Sequence, residues 1–319
     1  MKKVGYVGFD TSNYTTSASL CDADGCVLAN VRIPLPVKEG ERGLRQSDAV
    51  FSHVKNLPLA CQALKEFTAD VNVVAVGCSL RPRPTEDSYM PCFLAGKVAA
   101  EAYSAALGVP LYTFSHQEGH IMAAMYSSGK MESLLTSPFG AFHVSGGTTE
   151  MVLATPTDSG FSVEMLGESA DLHAGQAIDR IGVMMGLRFP CGKELEALAA
   201  KNTKKVPSSR ISVKDGSCHL SGLENLARKL WEETGDASLV SAFVLDFCAR
   251  TLGMMTEWFD TKYADFPIVY GGGVMSNRYL QKVLSVREKT YFADPQFSAD
   301  NAAGIALLTR RRAMKEKGE

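Results

Sequence analysis

The chain has 319 residues with 33 Lys and Arg against 35 Asp and Glu, so its formal charge is -2, and 45% of its residues are hydrophobic. That composition excludes disorder as the main mode, and the near-neutral balance excludes a domain that holds nucleic acid by overall charge, for which a pI above ~9 is usual. A prior of roughly 100–200 residues per domain gives two domains. No run approaches the length of an apolar membrane span and residues 1–6 lead into a strand-like alternation, so a cytoplasmic protein without membrane association is expected.

The N-terminal segment Val4 to Ser12 reads as an apolar strand ending in small polar residues, and Thr16 to Leu20, the turn Asp22-Ala23-Asp24-Gly25 and Val27 to Ile33 read as a hairpin. Helical periodicity predicts helices over Ser52 to Phe67, Phe93 to Leu107 and His116 to Ser127, with strands Val71 to Val76 and Val109 to Thr113 between them. Residues 140–166 repeat the opening grammar: a strand into Ser145-Gly146-Gly147-Thr148-Thr149, a strand Met151 to Ala154, a turn, and a strand Phe161 to Leu166. Helices are then expected over Ala170 to Gly186, Glu194 to Lys201, Gly222 to Thr234 and Ala237 to Lys262. A strand Pro267 to Tyr270, a glycine turn into a helix from Asn277 and a last helix from about Asp300 to Arg312 follow. This weak internal repeat predicts an α/β protein of two lobes, divided in the loop Ser133 to Phe139 into 1–135 and 136–319, with a cleft between them.

The eight cysteines contain no CxxC pair and read as reduced, mostly packing thiols. Ser145-Gly146-Gly147-Thr148-Thr149 offers small residues whose backbone N–H groups can close on an anion; the same pattern also serves a tight hairpin connection. Asp10-Thr11-Ser12 is read as the equivalent turn of the first lobe and as the place of the catalytic residues. Gly271-Gly272-Gly273-Val274-Met275-Ser276-Asn277, directly after a strand, suits the base and ribose of a nucleotide. Neither GxGxxG nor GxxxxGK[ST] is present.

His116 and His120 stand at i and i+4, within reach of one metal ion, a spacing also common on solvated helix faces. A zincin protease needs glutamate after the first histidine, where this chain has Gln117, and Gly119 is expected to loosen the helix. Further ligands are sought in His143, just before the Ser-Gly-Gly turn, and Asp300 at a helix start. Three imidazoles and one carboxylate suit zinc or iron with a position left open. Asp171, Asp179 and Arg180 read either as a solvated face or, if the helix lines the cleft, as a source of a ribose-binding carboxylate. Arg81-Pro82-Arg83-Pro84 is a rigid basic loop, and Arg310-Arg311-Arg312 a solvated helix end.

Taken in order, these motifs resemble the threonylcarbamoyl transferase family, once called O-sialoglycoprotein endopeptidases. The matches are Gly8 to Ser12, His116 to His120, Val144 to Thr149, Gly167-Glu168-Ser169 through Arg180, Pro190-Cys191-Gly192, Leu220 to Leu223, Gly272 to Arg278 and Phe292 through Asn301, nearly the whole chain. The resemblance implies the actin-like ATPase (ASKHA) architecture. It also implies one divalent metal ion, iron or zinc, on His116, His120 and Asp300. An adenine nucleotide, whether ATP, AMP or threonylcarbamoyl-adenylate, is implied on Ser145, Gly146, Gly147 and Thr148 at its phosphates, Asp179 and Gly192 near its ribose, and Asn277 near its base. The implied activity is transfer of threonylcarbamoyl from its adenylate to the exocyclic amine of the adenosine 3′ of the anticodon in tRNA, with AMP released. Protein partners of a threonylcarbamoylation complex are implied as well.

Three departures mark the first lobe. Asn13-Tyr14-Thr15 stands where the family has an acidic residue two positions after the Thr-Ser pair, the insertion before His53 is shortened to Arg45 through Phe51, and Leu80-Arg81-Pro82-Arg83-Pro84 replaces a Gly-Pro-Gly turn. A divergent paralogue is therefore expected. Its alternatives are a regulatory nucleotide-binding protein acting through a partner, and a small-molecule carbamoyl or phosphoryl transferase.

Overall fold

The computed structural model describes residues 2–12, 14–36 and 44–318. They fall into two compact units, one of residues 1–131, 156–162 and 300–319, the other of 132–155 and 163–299. In the first unit β1 (Lys3–Ser12), β2 (Thr15–Asp22), β3 (Val27–Pro34), β4 (Val71–Arg81) and β5 (Leu111–Ser115) form one sheet in the order β3-β2-β1-β4-β5. β1 to β3 are an antiparallel meander, while β4 and β5 run parallel to β1.

Helices α1 (Gln46–Thr68) and α2 (Phe93–Leu107) cover one face, on a core of Val7, Phe9, Ala18, Leu20, Val76 and Leu64. Of the shortened insertion Arg45 to Phe51, residues Gln46 to Phe51 are the first turns of α1. α3 (His116–Ser127) and α11 (Ala303–Lys317) lie on the other face. There the sheet offers bare backbone. A Cβ on Gly8 would sit 2.4 Å from the Ala306 nitrogen, and one on its cross-strand partner Gly77 would sit 1.9 Å from Thr309 Oγ1.

The second unit repeats this plan strand for strand. β6 (Phe139–Val144), β7 (Thr149–Pro156), β8 (Phe161–Glu168), β11 (Ile268–Gly271) and β12 (Thr290–Phe292) are ordered β12-β11-β6-β7-β8. β7 is antiparallel to β6, and β11 and β12 are parallel to it and to each other. The repeat read from the sequence is therefore one of topology, with β6 in the place of β1 and β11 in that of β4. Around this sheet come α4 (Met131–Leu134), α5 (Ala174–Met184), α6 (Gly192–Ala199), a short hairpin β9 (Ser212–Lys214) and β10 (Ser217–His219), α7 (Ser221–Thr234), α8 (Ala237–Tyr263), α9 (Arg278–Leu284) and α10 (Pro295–Ser298). α8 has the length and hydropathy of a membrane span, yet 72% of its apolar stretch is buried, and Val240, Phe243, Val244, Phe247, Leu252 and Phe259 build the core of this unit.

Four expectations need correction. Asp10-Thr11-Ser12 are not a turn but the last three residues of β1, paired with Ser17, Thr16 and Thr15. The Asp10 and Thr11 side chains find partners on β1, α2 and α3, so polarity there does not mark a chain reversal. The division at 135/136 assigns α11 to the second lobe, whereas α11 packs on β1, β4 and α3 of the first unit, because its small residues fit the glycines of that sheet. The helix expected from Ala170 begins only at Ala174, since the Asp171 carboxylate holds residues 171–172 and 220–221 in a loop. Arg310 and Arg311 are not a solvated end: Arg310 Nε donates to the Ala23 carbonyl at 2.6 Å and Arg311 to that of Gly160 at 3.0 Å.

Candidate metal and nucleotide site

In each unit the sequence-predicted residues gather at the carboxyl ends of the parallel strands, where open α/β sheets bind ligands. β5 ends at Ser115, which caps α3 through a full capping box: its hydroxyl accepts from the Glu118 N–H at 3.2 Å, and its own N–H donates to Glu118 Oε2 at 2.8 Å. The other Glu118 oxygen accepts from the Phe161 N–H at 3.3 Å, so one buried carboxylate fixes both the start of α3 and the loop 156–162. His116 is the first residue of this fixed turn, and His120 follows one turn later with its ring edge on that of His116, centroids 4.3 Å apart.

Asp300 enters from the segment before α11. Its Oδ1 lies 3.6 Å from His116 Nε2 and 3.3 Å from His120 Nε2, and the three ligand atoms all lie within 4.8 Å of one another. Ligands held ~2.0–2.2 Å from a tetrahedral ion are separated by about 3.4 Å, so the donor set fits a first-row divalent metal such as zinc or iron. His116 Nδ1 is 2.8 Å from Asp10 Oδ2. This places a carboxylate behind the imidazole, an arrangement that fixes the tautomer and would turn Nε2 toward a bound ion. Asp10 is in turn held by the Ser12 N–H, which donates to its Oδ1 at 2.9 Å.

The charges of this cluster stabilise one another. Burial opposes charge on Asp10, but His116 outweighs it and holds the carboxyl below its usual range. Burial likewise opposes charge on Asp300, and hydrogen bonds from His116 and His120 hold it well down. Burial alone would lower His116, and Asp10 followed by Asp300 push it up to about 10. Thr11 and Ser12 stand apart from this cluster's chemistry. Thr11 Oγ1 donates to the Cys92 carbonyl and accepts from the Gly96 N–H, both at 3.0 Å, and so ties β1 to α2. Tyr14 is 40% exposed in the β1–β2 turn; Asn13 lies outside the described residues. The loop Arg81 to Pro84 is tied to α3 by the Gln117 N–H, which donates to the Pro82 carbonyl at 2.9 Å.

In the second unit Ser145 closes a four-residue turn: its N–H donates to the Thr148 carbonyl at 2.7 Å, and its hydroxyl accepts from the N–H groups of Gly147 and Thr148. A Cβ on Gly146 or Gly147 would meet nothing within 4 Å, so neither packing nor backbone conformation in the protein demands glycine there. The turn leaves room for a ligand. Behind it, Gly175 N–H donates to the Ser145 carbonyl at 3.1 Å and a Cβ on Gly175 would strike Gly146 at 2.7 Å, which brings the N-terminus of α5 directly under the turn.

The Gly271-Gly272-Gly273 turn follows β11, the neighbour of β6. Gly272 has φ +94° and backs onto Val144, where a Cβ would lie 2.3 Å from the carbonyl oxygen; glycine is required there by the fold. Asn277 is buried and caps α9, its side-chain oxygen accepting from the Leu280 N–H. Asp179 is half-buried, its carboxyl raised by burial despite the Cys191 N–H bond at 2.8 Å, and it thereby holds the approach to Gly192 at the start of α6. Asp171 is fully engaged by Leu172, Leu220 and Ser221 and is part of the loop's framework. His143 is the penultimate residue of β6, in register with Glu150 and Gly271, half-buried beside the Ser145 turn, and is not part of the group formed by His116, His120 and Asp300.

Sequence reasoning missed two participants. Glu118 was readable, since Ser115-x-x-Glu118 is the capping-box pattern itself. The role of Asp10 behind His116 had no local signal, because 106 positions separate them.

The family model described as tRNA N6-adenosine threonylcarbamoyltransferase matches residues 48–307. A protein of that name from Aromatoleum aromaticum is 28% identical over 330 residues, covering 96% of this chain and 91% of the relative. One from Streptococcus pneumoniae is 29% identical over 325 residues, covering 97% and 92%. Among solved structures, HypF from T. kodakarensis superposes with a TM-score of 0.63 at 12% identity, covering 97% of this chain and 48% of that one. Component A of the (R)-2-hydroxyglutaryl-CoA dehydratase of Acidaminococcus fermentans superposes with 0.54 at 13% identity, covering 97% and 99%. These likenesses show the fold, which is the actin-like ATPase fold. The chain belongs to the tRNA N6-adenosine threonylcarbamoyltransferase family.

Proposed function

We propose that this member of the tRNA N6-adenosine threonylcarbamoyltransferase family transfers a threonylcarbamoyl group from its adenylate to the exocyclic amine of the adenosine 3′ of the anticodon. In that step a bond forms between the amine nitrogen and the carbamoyl carbon, the carbon–oxygen bond to phosphate breaks, AMP leaves, and the amine loses a proton. The observation that carries the reading is the convergence of His116, His120 and Asp300 with Asp10 behind them, in a chain that matches the family over most of its length.

His116 Nε2, His120 Nε2 and Asp300 Oδ1 would hold the metal, with His143 as a fourth ligand, and a bound zinc or iron would supply Lewis acidity toward the phosphate end of the adenylate. Ser145, Gly146, Gly147 and Thr148 receive the phosphate in the open space beside the turn at the head of α5, with the Gly146 N–H as a backbone donor, and stabilise charge on the leaving AMP. Asp179 and Gly192 orient the ribose, and Asn277 lies at the base. Asp10 acts by positioning His116, and Thr11 and Ser12 by holding the end of β1 on which Asp10 sits. Tyr14 offers no carboxylate where the family has an acidic residue, so slow or absent tRNA modification is expected, and Tyr14→Asp is expected to raise it. The acceptor is tRNA, and proteins of a threonylcarbamoylation complex are the expected partners; the family match favours this transferase over a regulatory protein or a small-molecule transferase.

The experiment is AMP release from threonylcarbamoyl-adenylate with and without tRNA, together with modified adenosine in the tRNA of a complemented strain lacking its own transferase. Release dependent on tRNA and restored modification are expected. Binding of the adenylate with neither outcome would overturn the reading.

A further inference from the structure

The second unit carries a run of positive charge with a single acidic partner among the described residues. Residues 197–214 hold Lys201, Lys204, Lys205, Arg210 and Lys214 and no acidic residue, in a chain whose overall charge is -2. All five are exposed. Lys204 pairs with Asp236 at 2.7 Å, whereas the side chains of Lys201, Lys205, Arg210 and Lys214 make no hydrogen bond or ion pair among the described residues.

This segment is extended but firmly seated. Val206, Ile211 and Val213 pack against the core of the unit, Asn202 closes a turn with Lys204, and Arg250 of α8 grips Ser209 through two bonds of 3.1 Å, to its carbonyl and its hydroxyl. Inward apolar residues thus alternate with outward basic ones, and Lys201, Lys205, Arg210 and Lys214 stand on a fixed frame with no salt-bridge partners to displace among the described residues. That is the build of a site for a polyanion. No aromatic residue lies in 197–214, so the contact suits phosphates rather than unstacked bases. The segment also starts from α6, whose first residue is Gly192 and whose eight residues span about 12 Å.

We propose that residues 201–214 form an RNA-backbone contact in which Lys201, Lys205, Arg210 and Lys214 each meet a phosphate, holding the acceptor strand beside the nucleotide-binding turns of the same unit. This rests on the reading that the acceptor is tRNA.

The test replaces these four residues together by glutamine (Lys201→Gln, Lys205→Gln, Arg210→Gln, Lys214→Gln). Binding of a tRNA transcript with adenosine 3′ of its anticodon is followed by fluorescence anisotropy between about 50 and 200 mM salt, and AMP affinity is measured by calorimetry in parallel. Each lost phosphate contact lowers the slope of log K against log salt by about 0.7–0.9, so the slope is expected to fall by about 3, with affinity down at least about tenfold and AMP binding unchanged. The pair Lys205→Gln with Arg210→Gln, which alters two exposed side chains only, is expected to give half that slope change. Unchanged slope and affinity in the fourfold variant, with wild type binding tRNA, would overturn this inference alone. A wild type that binds no tRNA would overturn the proposed acceptor and this inference with it. Loss of binding to polyglutamate with tRNA binding intact would assign the segment to an acidic protein surface instead.

Discussion

Gly304 faces Gly119 so closely that a Cβ on Gly304 would lie 1.8 Å from the Gly119 carbonyl oxygen. Gly119 sits between the two histidines of α3, and Gly304 is the second residue of α11, four positions after Asp300. The contact between these glycines is what lets α11 approach α3 and carry Asp300 to the imidazoles. Gly119, expected to loosen its helix, instead serves as a packing surface; a Cβ there would lie 2.9 Å from Ile305 Cδ1.

Gly304→Ala is therefore expected to push the two helices apart, because the obstructing atom is backbone and has no rotamer to give way. Overpacking of this kind costs about 1–3 kcal/mol, and this case belongs at the upper end. Thermal unfolding should register the loss, and bound metal per chain should fall with it. Wild-type stability and metal content together would contradict the contact.

Asp10→Asn keeps the shape of the residue and an acceptor for the Ser12 N–H, but presents an amide N–H₂ to His116 Nδ1. That moves the imidazole proton to Nε2, where it blocks ligation. Metal affinity measured by calorimetry is expected to drop about 10–100-fold while the fold persists. An unchanged affinity would show that His116 does not use Nε2.

His143→Ala separates a ligand from a strand residue. Metal stoichiometry is expected to fall in a folded variant, and retention of the full complement would leave His116, His120 and Asp300 as the complete set.

Gly147→Val tests the Ser145 turn. The space beyond this glycine is open, so the substitution is expected to leave the melting temperature within a few degrees of wild type and to lower adenine nucleotide affinity at least about tenfold by filling the room for phosphate. Undiminished affinity would remove the turn from the site.

Asp171 gives the pH dependence. Burial opposes its charge, but bonds from Ser221, Leu220 and Leu172 prevail and lower it to about 2 from an ordinary 3.8. A depressed carboxyl stabilises the fold fully above its unfolded value, and the contribution disappears as pH falls from about 4 toward 2. After solvent screening at this partly exposed group the effect is about 1 kcal/mol, visible in denaturant unfolding as a steeper loss of stability below pH 4 in wild type than in Asp171→Asn. Parallel curves would deny the carboxylate this role.

The sequence by itself determined much of this protein. α2 and α3 begin and end where the periodicity places them, the duplicated strand–turn–hairpin grammar at 4–33 and 140–166 is the duplicated sheet order, and the histidine pair lies together on α3. These are local or periodic signals, carried by neighbours three, four or two positions apart, and a chain displays them before it folds. β12 and the β9–β10 hairpin, three residues per strand, are too short for an alternation to register. Only the tertiary structure decided that Asp10 stands behind His116, that α11 returns to the first sheet over Gly8 and Gly77, and that Glu118 clamps the loop at Phe161. Each of those depends on atoms brought together across 40 to nearly 300 positions, where backbone proximity and burial, and no pattern along the chain, choose the partner.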